Sequence, residues 1–327
     1  MENQTDKVMS LEEAIAAKVK DGDHISIGGA TANRNPVAAT YEIIRQKRRN
    51  LHLYGHISGT GPDLLIGAGC VASVEGGYFG IGRFAPTSVC FQRAVERGGL
   101  LVEDYSNLQM ALRFLAGALG IPFIPTYAGI GSDLAQHWGI DAEERKRNPR
   151  LASLKLLEMA NPFDRSDSPE NVLLLPAINP DVTIAHVQKA DRKGNARIEG
   201  LTFADLEQIK SARNVILTCE EIVETEQLKD NPDLNQIPSF YVDCVVHAPY
   251  GAHPTQCFNY YDYDADFLYT LRDVSKEENT FQQFLETYVF GVPDFHAYLE
   301  KIGKDKLDSI KADPEYGYNR KLNRKAG

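Results

Sequence analysis

The sequence predicts an α/β protein in which helices cover both faces of a mainly parallel sheet. Short apolar strands alternate with helical segments along most of the 327 residues, which is typical of strand–helix–strand units. With 43% hydrophobic residues, the chain can form one large α/β domain or two smaller ones. Glycine-rich stretches follow several predicted strands and mark where the loops of such a sheet would lie.

The first predicted helix lies between a start signal and a stop signal. Ser10 and Glu13 have the spacing of a capping box, and Ala14 and Ile15 follow as apolar residues. Gly22, directly after an aspartate, is suited to end this helix. A helix is therefore expected before the first strand.

The segment 24–36 combines a strand, a glycine turn and a helix start. Residues 23–27 predict a short strand, and Gly28 and Gly29 then allow a tight turn or a close approach to a ligand. Asn35 is suited to be the N-cap and Pro36 the first residue of the next helix. Free N–H groups and the helix dipole would favour an anion here, although a purely structural turn would have the same sequence. The spacing is neither G-x-G-x-x-G nor a Walker A loop, which argues against a dinucleotide or a nucleoside triphosphate.

The middle of the chain continues the alternation. Charged, proline-spaced residues from about 141 to 171 predict an excursion over the surface. A helix is predicted from the cap at Ser106 to the stop at Gly120, with an apolar stripe of four leucines: Leu108, Leu112, Leu115 and Leu119. Further strands are predicted at 51–57, 71–78, 123–127, 171–177, 181–188, 215–219 and 242–246, and a helix at 204–212.

The character of the sequence changes after Pro254. Residues 258–267 are aromatic and acidic, two short helices are predicted at 281–290 and 295–302, and residues 319–327 are basic. We expect residues 1–256 to form the α/β domain. Residues 257–327 are expected to form a helical C-terminal arm that packs on this domain or on a partner subunit.

Charge and cysteine content restrict the partners and the compartment. A formal net charge of −10 gives no electrostatic basis for binding nucleic acid or an anionic membrane surface. Residues 1–7 do not resemble a signal peptide, and no apolar run is long enough to span a bilayer, so we expect a cytoplasmic protein. Buried free thiols, rather than disulfides or a metal site, are expected for the five scattered cysteines: Cys70, Cys90, Cys219, Cys244 and Cys257.

Four loops are predicted at the carboxyl ends of strands, where ligands bind in open α/β sheets. They are residues 28–35, 78–86, 127–132 and 250–254, and three of them begin with a tyrosine. Their composition predicts a pocket of backbone amides and tyrosine hydroxyls with little charge, although ordinary turns would have similar sequences.

Several stretches along the chain resemble one enzyme family. They are SLEEAIAAKVKDGDHISIGG at 10–29, AGALGIPF at 116–123, AHVQKADRKGNARI at 185–198, TCEEIV at 218–223 and VDCVVHAPYGAHPTQC at 242–257. The similarity continues through YDYD at 261–264 and VSKEE at 274–278, so it covers nearly the whole chain. With these motifs the sequence resembles the alpha subunits of the two-subunit family I coenzyme A transferases, and among them those of the glutaconate CoA-transferase type.

The resemblance implies an open three-layer α/β/α fold and a structurally similar beta subunit, in a hetero-oligomer such as (αβ)2 or (αβ)4. It also implies transfer of CoA from an acyl-CoA to a free carboxylate through an acyl anhydride and a glutamyl-CoA thioester. In this family the nucleophilic glutamate lies in a Glu-Asn-Gly motif of the beta subunit, and this chain has no such motif. No catalytic residue, metal or permanently bound cofactor is therefore expected in this chain, and coenzyme A enters as a substrate.

The glycine turn occupies the position of the family's CoA motif, which often has a third glycine where this chain has Ala30. The residues expected to contact CoA are Gly28, Gly29, Ala30, Thr31, Asn33 and Arg34. Those expected to line the acyl pocket are Tyr78, Phe79, Gly80, Gly82, Arg83, Tyr127, Gly129, Gly131, Ser132, Tyr250, Gly251 and His253. Phe79 and Phe84 would favour an apolar acyl group, whereas Arg83 could pair with a distal carboxylate, so the identity of the acyl group stays open.

Two other functions fit parts of this pattern. One is a hydrolase or decarboxylase on the same two-subunit frame. One branch of that kind has an acid just before the corresponding helix. This chain has Asn107 at that place, which disfavours the branch. The other is a non-catalytic binder of a sugar phosphate, for which the glycine turns offer only Arg34 and Arg83 as cations. The transferase is therefore the leading hypothesis.

Other reactive side chains are interpreted as structural. His253 is expected to brace its loop, and His186 to be a hydrogen-bonded core residue. His52 and His56 are four residues apart on a predicted strand, which is too far for one metal ion. The acidic neighbours of Cys219 should raise the pKa of its thiol, which disfavours a nucleophile.

Overall fold

The computed structural model describes residues 6–322 and 324 of the chain. The strands are β1 (His24–Ile27), β2 (Leu51–Ser58), β3 (Val71–Phe79), β4 (Leu101–Asp104), β5 (Phe123–Thr126), β6 (Leu157–Ala160), β7 (Asn171–Pro176), β8 (Val182–Asp191), β9 (Ala196–Arg197), β10 (Asn214–Val223) and β11 (Cys244–His247). The helices are α1 (Leu11–Lys18), α2 (Val37–Arg45), α3 (Thr60–Gly67), α4 (Val89–Glu96), α5 (Asn107–Ala118), α6 (Asp133–Gln136), α7 (Ala142–Arg147), α8 (Asp205–Ser211), α9 (Thr225–Lys229), α10 (Ala265–Val274), α11 (Glu278–Leu285), α12 (Phe295–Ile302) and α13 (Lys304–Ile310). Short 3-10 turns at Pro232–Leu234 and Ser239–Tyr241 and a π-helical turn at Glu286–Phe290 complete the elements described.

A large central sheet confirms the predicted fold class. Its strands lie in the order β11-β10-β8-β1-β2-β3-β4 and are parallel, and the short β9 pairs antiparallel with β8. In the middle of the sheet, Ile25 of β1 lies opposite Leu53 of β2 on one side and Val182 of β8 on the other. Because these strands run in the same direction, the loops after β1, β3 and β11 leave one edge of the sheet. These are the predicted site loops 28–35, 78–86 and 250–254.

Helices cover both faces of this sheet, as predicted. On one face, α1–α4 and α10–α12 share a core that contains Tyr41, Leu65 and Phe281. On the other face, α5 and α8 bury Phe114 and Ile209. The result is a three-layer α/β/α arrangement.

Two helices begin at capping boxes. In α1 the Ser10 hydroxyl accepts a hydrogen bond from the Glu13 amide, and the Glu13 carboxylate accepts one from the Ser10 amide. In α5 Ser106 and Gln109 make the corresponding pair. The predicted starts of both helices are therefore confirmed.

The predicted N-cap of α2 is wrong. This helix begins after Pro36 and has no side-chain cap. The Asn35 side chain instead donates to the carbonyls of Thr31 and Asn33 and accepts a hydrogen bond from the Gly61 amide. Asn35 thus ties the glycine turn to α3, because its amide has both donors and an acceptor to offer.

The leucine stripe of α5 is not its buried face. Leu108 and Leu119 are 57% and 63% exposed, whereas Met110 and Phe114 lie in the core. Arg113 is buried beside them in an ion pair, so the buried face of the helix lies away from the leucine stripe and includes a charged residue. The helix is confirmed, but the predicted packing side is wrong.

Strands β5, β7 and β6 form a second, antiparallel sheet in that order. The expectation that residues 123–127 and 171–177 belong to the parallel sheet is therefore wrong. The segment 141–171 also contains more regular structure than predicted, including the exposed strand β6. Its charges do not all face solvent, because Arg145 and Lys155 are buried and lie 2.6 and 3.0 Å from the Glu103 carboxylate.

The C-terminal helices pack on their own chain. Their buried aromatic residues are Tyr261, Phe267, Phe281, Phe284, Phe295 and Tyr298. In this packing the ring of Tyr298 lies 5.2 Å from that of Tyr41 in α2. These six rings are not available to a partner, although the sequence suggested this aromatic segment for that role. The division at residue 256 stays a prediction.

The cysteines and the helix lengths can be compared directly with the sequence-based expectations. All five cysteines are unpaired and buried, as predicted. Among the residues described, none of the helices combines the length and the apolar character needed to cross a bilayer.

A buried polar network lies between β1, β2, β3 and α5. Glu75 accepts a hydrogen bond from Arg113 at 2.5 Å and lies 3.4 Å from His52. The His24 ring lies 4.3 Å from the His52 ring and 2.9 Å from the Tyr54 hydroxyl. Although burial opposes it, the Arg113 guanidinium with His52 holds the pKa of Glu75 well below its ordinary value. The network therefore carries a charged carboxylate into the core.

We expect His24 to make the protein less stable in mild acid. Burial, helped by the neighbouring His52, lowers the pKa of His24 from 6.5 to about 3. The unfolded chain binds this proton below pH 6.5 and the folded chain does not, so stability falls as the pH drops from 6.5 towards 3. Between pH 7.5 and 5 this group should account for a loss of about 2 kcal/mol. Urea unfolding at both pH values measures how much unfolding free energy is lost on acidification. The loss in His24→Gln should be smaller than that in the wild type by this amount, and equal losses would show that His24 is not responsible.

Candidate active site

Three of the four predicted loops meet at the carboxyl edge of the central sheet. The Arg34 amide donates to the Gln256 carbonyl at 2.8 Å, and the Gln256 amide donates to the Ala32 carbonyl at 2.9 Å. From the 78–86 loop, a Cβ built on Gly82 would lie 4.0 Å from Thr31. The 28–35 loop thus lies beside the 78–86 loop and beside residue 256, which directly follows the 250–254 region, as the strand pattern predicts.

A buried ion pair holds the 28–34 turn. The Gly29 amide donates to both carboxylate oxygens of Asp205, at 2.9 and 3.1 Å. The Arg34 guanidinium donates to the same carboxylate at 2.7 Å, and to the carbonyls of His186 and Leu201. Both charged side chains are almost completely buried. The guanidinium of Arg34 thus fixes the turn from inside the protein, and a contact of Arg34 with CoA stays a prediction.

Most amides of the turn are already hydrogen-bonded. Gly28 donates to a carbonyl of β8, and Ala30 and Asn33 donate to each other's carbonyls at 2.9 and 2.8 Å. Within the part of the chain that the structure describes, the amides of Thr31 and Ala32 have no such acceptor. These two N–H groups are the ones that the turn can offer to an anion.

Gly29 is required by the geometry of the turn. Its φ is +81°, and a Cβ at this position would lie 2.5 Å from the Asn33 carbonyl oxygen and 2.6 Å from that of Arg34. A bulky residue such as valine would therefore disrupt the turn itself, and it cannot serve as a selective test of CoA binding.

The 78–86 loop turns its aromatic side chains inward. Phe79 stacks on Phe91 with ring centroids 4.5 Å apart, and Phe84 is also buried. Both rings belong to the core, so the structure gives no support to the expectation that they select an apolar acyl group. Arg83 is exposed, with its guanidinium 5.4 Å from the Phe84 ring and bonded to the Arg324 carbonyl.

The remaining residues of this loop shape its backbone. The Tyr78 hydroxyl donates to the Pro86 carbonyl at 2.7 Å and so closes the loop. A Cβ on Gly80 would lie 2.3 Å from the Tyr78 hydroxyl oxygen, and Gly82 has a φ of +58°. Tyr78 is therefore engaged within the loop, and the two glycines are needed for its course.

The 127–132 loop follows the small sheet and not the central one. It still lies at the same end of the protein, because Gln109 Nε2 donates to the Ala128 carbonyl at 2.9 Å. Asn107, in the same first turn of α5, lies against Gly77 of β3. Topology thus contradicts the predicted origin of the loop, whereas α5 brings it beside the 78–86 loop.

Within this loop the predicted pocket residues differ in exposure. The Tyr127 and Gly131 positions are exposed, while Gly129 and Ser132 are partly covered. The Ser132 hydroxyl donates to the Gly129 carbonyl at 2.6 Å, and the Tyr127 hydroxyl accepts a hydrogen bond from Asn161. Tyr127 is therefore a side chain of this loop that a partner or a substrate can reach.

In the 250–254 loop, His253 is completely enclosed. Its ring lies 2.6 Å from the Tyr298 hydroxyl and 3.3 Å from the Asp264 carboxylate. Burial lowers the pKa of His253. The geometry agrees with a bracing role and excludes His253 from the lining of an open pocket. Gly251 is also buried, and its carbonyl accepts a hydrogen bond from the Ala38 amide of α2.

A cavity of about 1030 Å³ is lined by residues of β8, β9 and β10 and of the segments 249–250 and 258–261. It is lined by Tyr250 and by Glu220 of β10, and the acyl-pocket role expected for Tyr250 stays a prediction. Glu220 accepts hydrogen bonds from the Tyr261 hydroxyl at 2.6 Å and the Tyr250 amide at 2.8 Å, and lies 2.7 Å from His186 Nε2. A signal is present in the TCEEIV stretch, where an acid follows an apolar strand, but the sequence suggests this acid only as a neighbour of Cys219.

His186, Glu220 and Cys257 place three possible metal-binding atoms within 4.8 Å of one another. The histidine and the glutamate are already bonded to each other, and burial together with Glu220 raises the pKa of the Cys257 thiol well above its ordinary value. This arrangement describes a hydrogen-bonded core histidine, as predicted for His186. The expectation of a chain without metal stays a prediction.

The thiol of Cys219 behaves as its sequence predicts. Burial raises its pKa to about 12, with a further contribution from Glu220. The direction is confirmed, although burial is a larger cause than the acidic neighbours. His52 and His56 lie on one strand, also as expected.

Comparison with known proteins identifies the family. The sequence model of the Coenzyme A transferase family matches residues 8–248. The chain belongs to this family. The A subunit of glutaconate CoA-transferase from Acidaminococcus fermentans is 40% identical over 313 residues, which cover 96% of this chain and 97% of that protein. The A subunit of 3-oxoadipate CoA-transferase from Pseudomonas knackmussii is 33% identical over 306 residues, covering 92% and 99%.

A solved CoA-transferase has the same fold. The crystal structure of glutaconate coenzyme A-transferase from Acidaminococcus fermentans matches with a TM-score of 0.92, over 96% of this chain and 98% of that one. Two of the buried carboxylates lie near the candidate site: Asp205 pairs with Arg34, and Glu220 bonds with Tyr261 and His186.

Proposed function

We propose that this chain is the alpha subunit of a heteromeric CoA-transferase that moves CoA from an acyl-CoA to a free dicarboxylate such as glutaconate. The observation that carries the proposal is 40% identity over 96% of the chain to the corresponding subunit of a glutaconate CoA-transferase. A beta subunit supplies the nucleophilic glutamate, and coenzyme A is a substrate and not a resident cofactor. Five unpaired cysteines are consistent with a reducing, cytoplasmic location.

The proposed reaction divides one exchange into successive acyl transfers. The glutamate of the partner attacks the thioester carbonyl, which releases CoA thiolate and forms an acyl anhydride. The thiolate attacks the glutamyl carbonyl, which forms the glutamyl-CoA thioester and releases the donor acid as its carboxylate. The acceptor carboxylate then reverses both steps. The role assigned to this chain is to bind anionic groups of the substrate with the open amides of Thr31 and Ala32.

The relatives suggest the chemical class of the substrate. Glutaconate and 3-oxoadipate, the acids in their names, are both dicarboxylates. A second carboxylate needs a cationic partner at the pocket edge, and Arg83 is an exposed cation on the 78–86 loop. We therefore assign the distal carboxylate to Arg83.

Arg83→Ala should lower kcat/KM for dicarboxylate substrates roughly 30-fold, because a charge-assisted contact is lost. This factor corresponds to a loss of about 2 kcal/mol in transition-state stabilisation. Steady-state kinetics of the assembled enzyme should show a much smaller effect with a monocarboxylate acceptor. Arg272→Ala, which removes an arginine of α10, is the control. Equal losses for mono- and dicarboxylates would show that Arg83 does not recognise the distal group.

The chain alone is expected to do no chemistry. Purified by itself and incubated with acyl-CoA, it should give no adduct that borohydride or hydroxylamine can trap, whereas addition of a beta subunit should produce one on the partner. An adduct on this chain, or turnover without a partner, would contradict the proposal. Release of free CoA by the complex without a carboxylate acceptor would instead identify a hydrolase.

A further inference from the structure

The outer face of the small sheet is apolar and open. An antiparallel sheet that covers a domain normally packs one face on the core and presents polar residues on the other. Here Leu173 and Leu175 pack inward, yet the outward face is apolar as well. Phe123, Leu157 and Met159 on that face are 49%, 47% and 38% exposed.

The strand register joins these side chains into one surface. Pro125 of β5 lies opposite Leu174 of β7, which lies opposite Leu157 of β6. A groove of about 500 Å³ runs over this face, and Phe163 at its margin is 89% exposed. We call this surface the outer-sheet patch, and its exposed members are Phe123, Pro125, Tyr127, Leu157, Met159 and Phe163.

The patch is close in area to one side of a standard protein–protein interface. With roughly 200 Å² for each large side chain, the exposed fractions of its members amount to roughly 600 Å². A standard interface takes ~800 Å² from each partner, so the patch supplies most of what one side needs. Apolar patches of this size on a single chain are typical of interaction sites.

The patch also ends at the candidate active site. Tyr127 belongs to the patch and begins the 127–132 loop, which Gln109 ties to the first turn of α5. Asn107 of that turn lies against Gly77 of β3, next to the 78–86 loop. A protein seated on the patch is therefore close enough to extend a side chain towards the loops of the site.

We propose that the outer-sheet patch is the docking surface for the beta subunit. The inference rests on the proposed function, because the reaction needs a glutamate that a partner brings to this edge. The exposed area and its continuity with the site favour the beta subunit over a second copy of this chain. The six aromatic residues of the C-terminal segment named above do not compete for this role, since they are buried.

The test is a double variant, Met159→Lys with Phe163→Asp, co-expressed with a beta subunit from the same organism. The Kd of the complex, measured by sedimentation velocity, should rise at least 100-fold because two apolar contacts become buried charges. Phe240→Asp is the matched control. Phe240 is 75% exposed but precedes β11, which is the edge strand at the other end of the central sheet from β4. The Kd of the complex with this variant should therefore not change. Far-UV circular dichroism and thermal melting of each variant alone check that the fold is kept.

A photoreactive benzoylphenylalanine at position 163 gives a second readout. It should cross-link to the beta subunit, whereas a cross-link between two copies of this chain would assign the patch to self-association and overturn the proposal. Wild-type affinity and activity of the double variant would also overturn it, while leaving the proposed function intact. Failure of the wild-type chain to form an active complex with any beta subunit would refute the proposed function and this inference together.

Discussion

Replacing Asp205 with asparagine should lower the free energy of unfolding by about 3–5 kcal/mol and raise the KM for acyl-CoA on the order of tenfold. Asp205 and Arg34 are 2.7 Å apart, with side chains only 1% and 4% exposed. Asparagine keeps the shape but removes the negative charge, which leaves the guanidinium buried without a counter-charge. Its amide N–H group would also face the Gly29 amide, which is itself a donor. Both effects loosen the turn that we assign to CoA.

Urea unfolding of the chain and steady-state kinetics of the assembled enzyme measure the two effects separately. Glu226→Gln is the matched control, because it removes the same charge from an ion pair with Lys229 whose members are both largely exposed. That control should change stability by less than about 0.5 kcal/mol. The ion pair does not hold the turn if the free energy of unfolding of Asp205→Asn is within about 1 kcal/mol of the wild-type value and the KM for acyl-CoA is unchanged.

The central sheet can be predicted because its signal is local. Each strand is a short apolar run between turn residues, and parallel strands buried on both faces look this way wherever they pair. The same signal at β5 and β7 leads to the wrong sheet. An apolar run such as Phe123–Thr126 has no local feature that states which strand it joins, and pairing is decided by tertiary contacts.

The loops of the site are predictable for the same reason, and the residues that hold them are not. Gly29 is recognisable as a turn residue, but its partner Asp205 lies 176 positions away. Arg34 suggests a ligand contact because a cation in a glycine loop is expected to face solvent. Only the folded chain shows that Asp205 and two carbonyls surround this cation.

Charge composition is the least reliable guide to burial. The segment 141–171 is rich in charged residues, and such segments usually lie on the surface. Arg145 is nevertheless buried, because Glu103 lies 42 residues earlier in sequence and 2.6 Å away in space. Pairing across the sequence makes burial possible, and neither member of the pair reveals it alone.

Glu103→Gln should therefore destabilise the chain by about 3–5 kcal/mol. The Glu103 carboxylate lies 2.6 and 3.0 Å from the buried cations of Arg145 and Lys155. It also accepts hydrogen bonds from the amides of Gly139 and Ile140, at 3.0 and 3.2 Å. Glutamine keeps an acceptor but removes the negative charge of this carboxylate, so two buried cations lose their counter-charge together.

The loss should begin locally, since these contacts join β4 to the segment that leads into β6. Hydrogen exchange should accelerate first in β5, β6 and β7, before the central sheet responds. Glu158→Gln, an exposed glutamate on β6, is the control and should leave exchange unchanged. Because the small sheet carries the outer-sheet patch, Glu103→Gln should also weaken binding of the beta subunit without touching that surface. Unchanged exchange in β5–β7, with stability within about 1 kcal/mol of the wild type, would show that Glu103 does not anchor the small sheet.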